Sequence, residues 1–232
     1  MRGLVLSLFP GIGMLDCGFE EEGFCVVRGP DLLWGGDIHE FHPPAWRFDG
    51  VIGGPPCQAF SRINQVNRAR YGNECIAPDL IPEFSRVVRA CEPEWYVMEN
   101  LPSAYAPRVD IYGYAERKVE LDNHWLGVTS QGRRRAFWSN LILHIETPAL
   151  VPIERTPALT SKGHADWRGS RASGHTIKPA DAAEKQGFPR DFLKHAPFTQ
   201  IGKMRAIANG VPLPMARAIA RAVVKALERE AA

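Results

Sequence analysis

An open α/β sheet is the architecture this sequence predicts, and three observations predict it. Residues 3 to 9, G-L-V-L-S-L-F, form an apolar run of strand length that breaks at Pro10-Gly11-Ile12-Gly13 and gives way to a helical stretch from Met14 to Glu22. A second short run, Gly23 to Val27, follows at once, with Asp31 just after it. Two further runs, F-D-G-V-I ahead of Gly53-Gly54 and W-Y-V-M-E-N from Trp95 to Asn100, read as buried strands. In open α/β sheets ligands bind outside the carboxyl ends of the strands.

The 232 residues suit one domain with a small appendage. A chain of this size buries roughly 70 to 75% of its unfolded surface, so it needs no covalent staple. A hydrophobic content of 45% with 23% charged residues is that of a globular protein, and 21 Gly with 19 Pro indicate many structured loops. Cys17, Cys25, Cys57, Cys75 and Cys91 form no C-x-x-C pair and leave one odd, which argues against a disulfide framework and against a thiolate zinc site. The amino terminus lacks a signal-peptide pattern and no run approaches the ~20 apolar residues of a membrane span, so a cytoplasmic protein without membrane contact is expected. A net charge of +2 is too small to announce nucleic acid, and any such case must come from local charge.

In chain order, the glycine loop lets a ligand approach backbone at a helix amino terminus. A lone G-x-G is common to many α/β folds. Asp31 lies roughly 20 residues beyond the loop, where a carboxylate can accept from ribose hydroxyls, and Asp37 follows in Gly35-Gly36-Asp37-Ile38. His39-x-x-His42 has no Cys or acidic partner at ligand spacing, so no metal is assigned. Gly53-Gly54-Pro55-Pro56 stops the third strand and puts Cys57 on a loop at its carboxyl end. No acid intervenes before Glu74, and Arg62, Arg68 and Arg70 stand just beyond, an electropositive setting expected to favour the thiolate. The Arg- and Asn-rich stretch 62 to 70 suits a lid over a phosphate backbone. Leu80, Ile81, Phe84, Val87 and Val88 recur at helical spacing between Asp79 and Ala90. Glu99 ends the next buried strand, where a carboxylate is costly unless paired or used. Gln131-Gly132-Arg133-Arg134-Arg135 leads into an apolar strand to Leu143, whose alternation turns Arg133 and Arg135 inward. Residues 144 to 178 are poor in large apolar side chains; from 155 onward Arg155, Lys162, Arg168, Arg171 and Lys178 stand against Asp166, a local basic patch. Met215, Ile219, Val223 and Leu227 at intervals of four mark the core stripe of a final helix.

Pro56-Cys57-Gln58 resembles the nucleophile motif of the C5-cytosine DNA methyltransferases, and the other segments of that family recur in order. Leu8 to Gly13 resembles the methyl-donor loop, Gly23 to Asp31 and Gly36-Asp37-Ile38 the next two motifs, Glu99-Asn100 the Glu-Asn motif, and Gln131 to Arg135 the Gln-x-Arg-x-Arg motif. Gln186-Gly187-Phe188-Pro189 and Asn209-Gly210-Val211 resemble the last two. Ser7 stands where many members have Asp, and Met14 where many have Gly.

The resemblance implies a small, phage- or prophage-type member with a doubly wound, Rossmann-like methyltransferase sheet. Residues 1–143 and 179–232 would form the catalytic domain, and 144–178 a minimal target-recognition insert containing the Thr-Leu-like element with Thr160. S-adenosylmethionine, leaving as S-adenosylhomocysteine, would be held by Phe9, Gly11, Gly13, Asp31, Asp37, Ile38, Pro56, Asn209 and Val211. Cys57, Glu99, Arg133 and Arg135 would be catalytic on a flipped cytosine. Double-stranded DNA would meet Gln58, Ser61, Arg62, Arg68, Arg70, Asn100, Gln131, Thr160, Arg168 and Arg171, with the protein acting as a monomer within restriction–modification. So small an insert suits a recognition site of roughly two to four base pairs. The tRNA-methylating branch is disfavoured by the Gln of Pro-Cys-Gln, and a catalytically silent DNA-binding homologue by the retention of Cys57, Glu99, Arg133 and Arg135.

Overall fold

A computed structural model describes residues 2–60, 78–102, 109–149, 153–160 and 177–231. Six strands form one sheet: β1 (Leu4–Leu8), β2 (Cys25–Arg28), β3 (Gly50–Gly53), β4 (Trp95–Asn100), β5 (Arg117–Asp122) and β6 (Arg134–Ser139), in the order β2-β1-β3-β4-β6-β5. The first four are parallel; β6 runs antiparallel to β4 and β5. From β1 the chain crosses to β2 on one side, and β3 then pairs with β1 on the other. That reversal opens a crevice beside the end of β1.

Side-chain alternation assigns the two faces. Val5, Trp95, Val97 and Phe137 join α1 (Met14–Glu21) and the closing helix, which carries Met215, Ile219 and Val223. Leu6, Leu8, Tyr96, Met98 and Trp138 join α2 (Ile81–Cys91) through Phe84 and Val88. Each such fully buried side chain contributes roughly 1.5–3 kcal/mol relative to exposure. The remaining helices are α3 (Pro179–Lys185), α4 (Gln200–Asn209) and α5 (Leu213–Glu230). A third cluster, with Met14, Leu159, Ala182, Phe188, Met204 and Leu213, seats α3 and α4 against the start of α1. At Gly18 a β-carbon would overlap the backbone of Ala216, so α1 and α5 approach more closely than any larger residue allows.

The doubly wound α/β expectation stands, with two differences of extent. Strand β6 stops at Ser139 instead of Leu143, because the Ser139 hydroxyl accepts from Leu141 N–H and turns the chain. Strand β5, R-K-V-E-L-D, drew no attention in the sequence: it is an edge strand with a polar outer face, so it lacks the continuous apolar run of its neighbours. Among the described residues no helix is long and apolar enough to cross a membrane.

Candidate active site

The carboxyl ends of β1 to β4 open into one cavity of about 560 Å³. Phe9, Gly11, Asp31, Asp37, Ile38, Pro56, Asn209 and Val211 line it, and so do Cys57, Gln58, Glu99 and Arg135. Thus residues from seven separate segments, expected to converge from their motif order, meet at one place.

On the β1–β2 side the charged groups are held by backbone. Asp31 accepts from Gly11 N–H at 2.7 Å with one oxygen and from Leu33 N–H at 2.8 Å with the other. Asp37 accepts from His39 N–H at 3.0 Å and faces the His39 ring at 2.7 Å; the backbone donor, then the ring, hold its carboxyl below the usual range. Gly11 has a φ of 56, and nothing lies within 4 Å of where a β-carbon would stand, so the loop leaves open space over its backbone. The Trp34 indole N–H donates to Gly11 C=O at 2.6 Å, and its ring packs on Phe198 at 5.5 Å. Ser7 donates to Asp16 at 2.6 Å, and Asp16, fully buried and paired with Arg28 at 2.9 Å, brings a carboxylate from α1 to the end of β1. Burial pushes the Asp16 carboxyl up, against the pull of Ser7 and Arg28.

On the β3–β4 side the groups are buried and paired with each other. Cys57 opens a 3-10 turn, Cys57–Phe60, after the Gly-Gly-Pro-Pro segment. A β-carbon on Gly54 would stand 3.0 Å from the Glu99 carboxylate, so glycine there lets the acid close on the nucleophile loop. Glu99 meets Arg135 Nε at 2.7 Å. Burial drives its carboxyl upward, opposed by Arg135 and then Arg133. The Cys57 thiol is likewise pushed up by burial, with Arg135 opposing and Glu99 reinforcing. Among the described residues desolvation outweighs the cations, against the expected thiolate, and the arginines that act on Cys57 there are Arg135 and Arg133, while Arg62, Arg68 and Arg70 lie outside the described residues.

Several expected site residues serve elsewhere. Arg133 does not line the cavity; its guanidinium donates to the carbonyls of Ala208 at 2.7 Å and Gly210 at 3.1 Å, holding the turn that carries Asn209. Burial, then the charge of Arg135, lowers its pKa to about 9. Asn100 does not line the cavity and donates to Pro55 C=O at 3.1 Å, pinning the loop ahead of Cys57. Gln131 is fully buried, in an isolated bridge to Thr156. Gly13 caps α1 with a φ of 78, and Arg28 occupies the space where its β-carbon would be, so it faces the protein and not the cavity. Thr160 follows buried Leu159 and lies off the cavity. Ser61, Arg62, Arg68, Arg70, Arg168 and Arg171 lie outside the described residues.

Leu32, Leu33, Phe198, Gly202, Arg205 and Ala206 line the cavity without having been singled out. For α4 a signal was present: Thr199 accepts from Gly202 N–H, an N-cap three residues ahead of that donor. Among the described residues no group of three His, Cys, Asp or Glu side chains is placed to hold a metal ion.

A family model for C-5 cytosine-specific DNA methylase matches residues 34–112, the stretch that contains Cys57 and Glu99. The Type II methyltransferase M.NgoPII of Neisseria gonorrhoeae is 28% identical over 122 residues, 45% of this chain and 35% of the relative. M1.HphI of Haemophilus parahaemolyticus is 42% identical over 123 residues, 41% of this chain and 32% of the relative. Over that stretch the chain is similar to C-5 cytosine-specific DNA methylases. It spans about a third of the length of the first curated relatives it matches. Over the whole fold, the S. pombe Dnmt2 methyltransferase superposes with a TM-score of 0.66, 13% identity and 99% of both chains. A structure described as a DNA modification methyltransferase encoded within an E. coli prophage gives the same TM-score at 16% identity, covering 97% of this chain and 99% of that one. The family is one of S-adenosylmethionine-dependent methyltransferases.

Proposed function

We propose that the chain transfers a methyl group from S-adenosylmethionine to C5 of a cytosine flipped out of double-stranded DNA. The observation that carries this reading is the presence of Cys57, Glu99 and Arg135 on the wall of the same cavity as Phe9, Gly11, Asp31, Asp37, Ile38 and Asn209.

The residues present fit the donor. The open backbone at Gly11 offers a cradle, the Asp31 carboxylate retains lone pairs for ribose hydroxyls after accepting from Gly11 and Leu33, and Phe9 supplies an aromatic face for adenine. Asp37 and Ile38 would meet the adenine edge, and Pro56, Asn209 and Val211 the rest of the donor. When bound, the donor supplies an electrophilic methyl group to C5.

The chain's own residues do the rest. The Cys57 sulfur bonds C6 of the base as its thiol proton passes to water, and the C5=C6 electron pair moves to C5. Glu99, whose carboxyl burial pushes above its ordinary range, donates to N3 in its protonated form and takes up the charge that develops there. Arg135 fixes the Glu99 carboxyl and neutralises charge at the base. After C5 is alkylated, its proton passes to water, the C5–H electron pair reforms the C5=C6 bond and the S–C6 bond breaks, returning Cys57. Asn100 keeps the Cys57 loop in register. Extrusion of the base costs a few kcal/mol, offset by contacts in the pocket.

The insert at 144–178 reads the neighbouring bases. Gly132 N–H donates to Thr156 C=O and Thr156 N–H to Ser130 C=O, each at 2.7 Å, so the segment 153–160 enters the region fixed to the Gln131 strand end. A duplex carrying 5-fluorocytosine tests the whole reading, because a C5 fluorine cannot leave as a proton. Wild-type protein should form a covalent adduct at Cys57 that requires S-adenosylmethionine for full trapping. Cys57→Ser should form none, with turnover below detection. Methylation by Cys57→Ser at the wild-type rate, or trapping at another cysteine, would remove the proposal.

A further inference from the structure

Helix α4 turns one face to the cavity. Gly202, Arg205, Ala206 and Asn209, spaced by three and four, line it together. The helix is fixed at both ends: Phe198, just before it, packs on Trp34, which is hydrogen-bonded to the glycine loop, while Gln186 Nε2 holds Ile207 C=O at 2.9 Å and Arg133 holds Ala208 and Gly210. The face therefore stands at a set distance from the Gly11 loop, as a preorganised wall.

The charges around the cavity are unequal in their commitments. Asp31, Asp37, Glu99 and Asp16 each have a partner within the fold. Arg135 is spent on Glu99 and on Arg134 C=O. Arg205, which is exposed and lines the cavity, makes no hydrogen bond or ion pair among the described residues. It is a cation on the wall of a ligand space with no carboxylate among the described residues paired to it.

Resting on the proposed donor, the shape of that ligand decides what faces Arg205. Its sulfonium carries three substituents. The adenosyl group is drawn to Asp31, Asp37 and Ile38 on the α2 face of β1. The methyl must point to the Cys57–Glu99 wall. The third substituent, an amino-acid chain, is left the remaining wall, formed by Met14 and the α4 face. That chain ends in a carboxylate. We propose that Arg205 is the residue that recognises the α-carboxylate of the methyl donor, with Asn209 one turn further along the same helix face. A guanidinium suits the task because it binds carboxylate through two parallel N–H donors. Met14 packs its side chain at Gly210 and narrows this wall, which makes a long charged side chain from α4 the group that can still reach the carboxylate.

Two nucleosides separate this idea from the reading beneath it. S-adenosylhomocysteine has the amino-acid chain; 5′-methylthioadenosine has the same adenosyl thioether without it. Titration calorimetry of the full chain should show S-adenosylhomocysteine bound more tightly by wild type. Arg205→Gln should lose roughly ten- to a hundredfold in S-adenosylhomocysteine affinity, the scale of a charge-assisted hydrogen bond, with 5′-methylthioadenosine affinity unchanged within about twofold on the same scale. Arg205→Lys should recover part of the preference, and equal melting temperatures exclude a folding defect. Equal loss for both nucleosides, or loss of neither with weakened duplex binding, would overturn the assignment of Arg205 while leaving the donor reading in place. If wild type binds neither nucleoside, the donor reading fails and takes this proposal with it.

Discussion

The two halves of the cavity handle charge in opposite ways. Around β1 and β2, the carboxylates of Asp31 and Asp37 are met by backbone N–H groups, and that of Asp37 is held low. Around β3 and β4, Glu99 and Cys57 are buried against one another and against Arg135, and burial displaces each toward its neutral form. Backbone donors are fixed by the fold and serve recognition, because they stabilise one charge state at all times. A desolvated acid and thiol beside one guanidinium serve chemistry, because their protonation can change when a base enters.

Replacing residues on either side tests that division. Beyond the loss of turnover in Cys57→Ser, the largest change expected is for Glu99→Gln, which keeps shape but removes the proton donor: kcat should fall by roughly 10²–10⁴-fold with S-adenosylhomocysteine affinity preserved, as single-turnover kinetics and calorimetry can separate. Arg133→Met should do the reverse. Its two bonds to Ala208 and Gly210 are charge-assisted, and their loss should cost about 1.5–3 kcal/mol, seen as a lower melting temperature and weaker donor binding, with the methyl-transfer step itself less affected. If kcat alone falls, Arg133 acts on the base after all. The smallest effect concerns Cys57 in the free protein. A thiol raised by burial has less thiolate at pH 7.5 than an ordinary one, and gains it as pH rises toward its displaced pKa. Alkylation by iodoacetamide, followed by peptide mass spectrometry, should therefore be slower at Cys57 than at exposed Cys25 and should quicken with pH. In Arg135→Gln, which removes the first of the opposing cations, the pH dependence should move further up. A Cys57 that outpaces Cys25 at pH 7.5 would restore the electropositive expectation.

What the sequence made legible follows a physical line. The strands covered on both faces announce themselves as unbroken apolar runs, and the loops at their ends are spelled in Gly and Pro, so β1, β3, β4 and the placement of Phe9, Asp31, Cys57 and Glu99 could be read directly. Orientation at close range could not. Nothing local distinguishes Arg133, turned to the Asn209 turn, from Arg135, turned to Glu99: both alternate inward from the same strand start, and only the packing of a helix some 75 residues later in the chain decides which carbonyls are within reach. Asn100 is similar, for its amide is taken by Pro55, 45 residues earlier. Burial was misjudged in the same way at Cys57, because counting nearby arginines in sequence gives their sign but not the water that the fold removes. Arg205 was not singled out in the sequence, since the cavity it lines is assembled from distant segments.

Arg133 and Arg135 stand two residues apart at the same strand edge, one gripping Ala208 and Gly210 on the wall proposed for the donor, the other gripping Glu99, the acid proposed to meet the base. A single short piece of backbone is therefore a shared mechanical element of two binding events. If the arrival of a base draws Arg135 even slightly, the strand edge carries Arg133 with it, and the donor's pocket tightens or slackens accordingly. Such coupling is reciprocal by thermodynamic necessity: whatever factor the nucleic acid imposes on donor affinity, the donor imposes on nucleic-acid affinity. Under the proposed function, the spacing of two arginines in a five-residue motif would become cooperativity between two ligands that need never touch the same side chain.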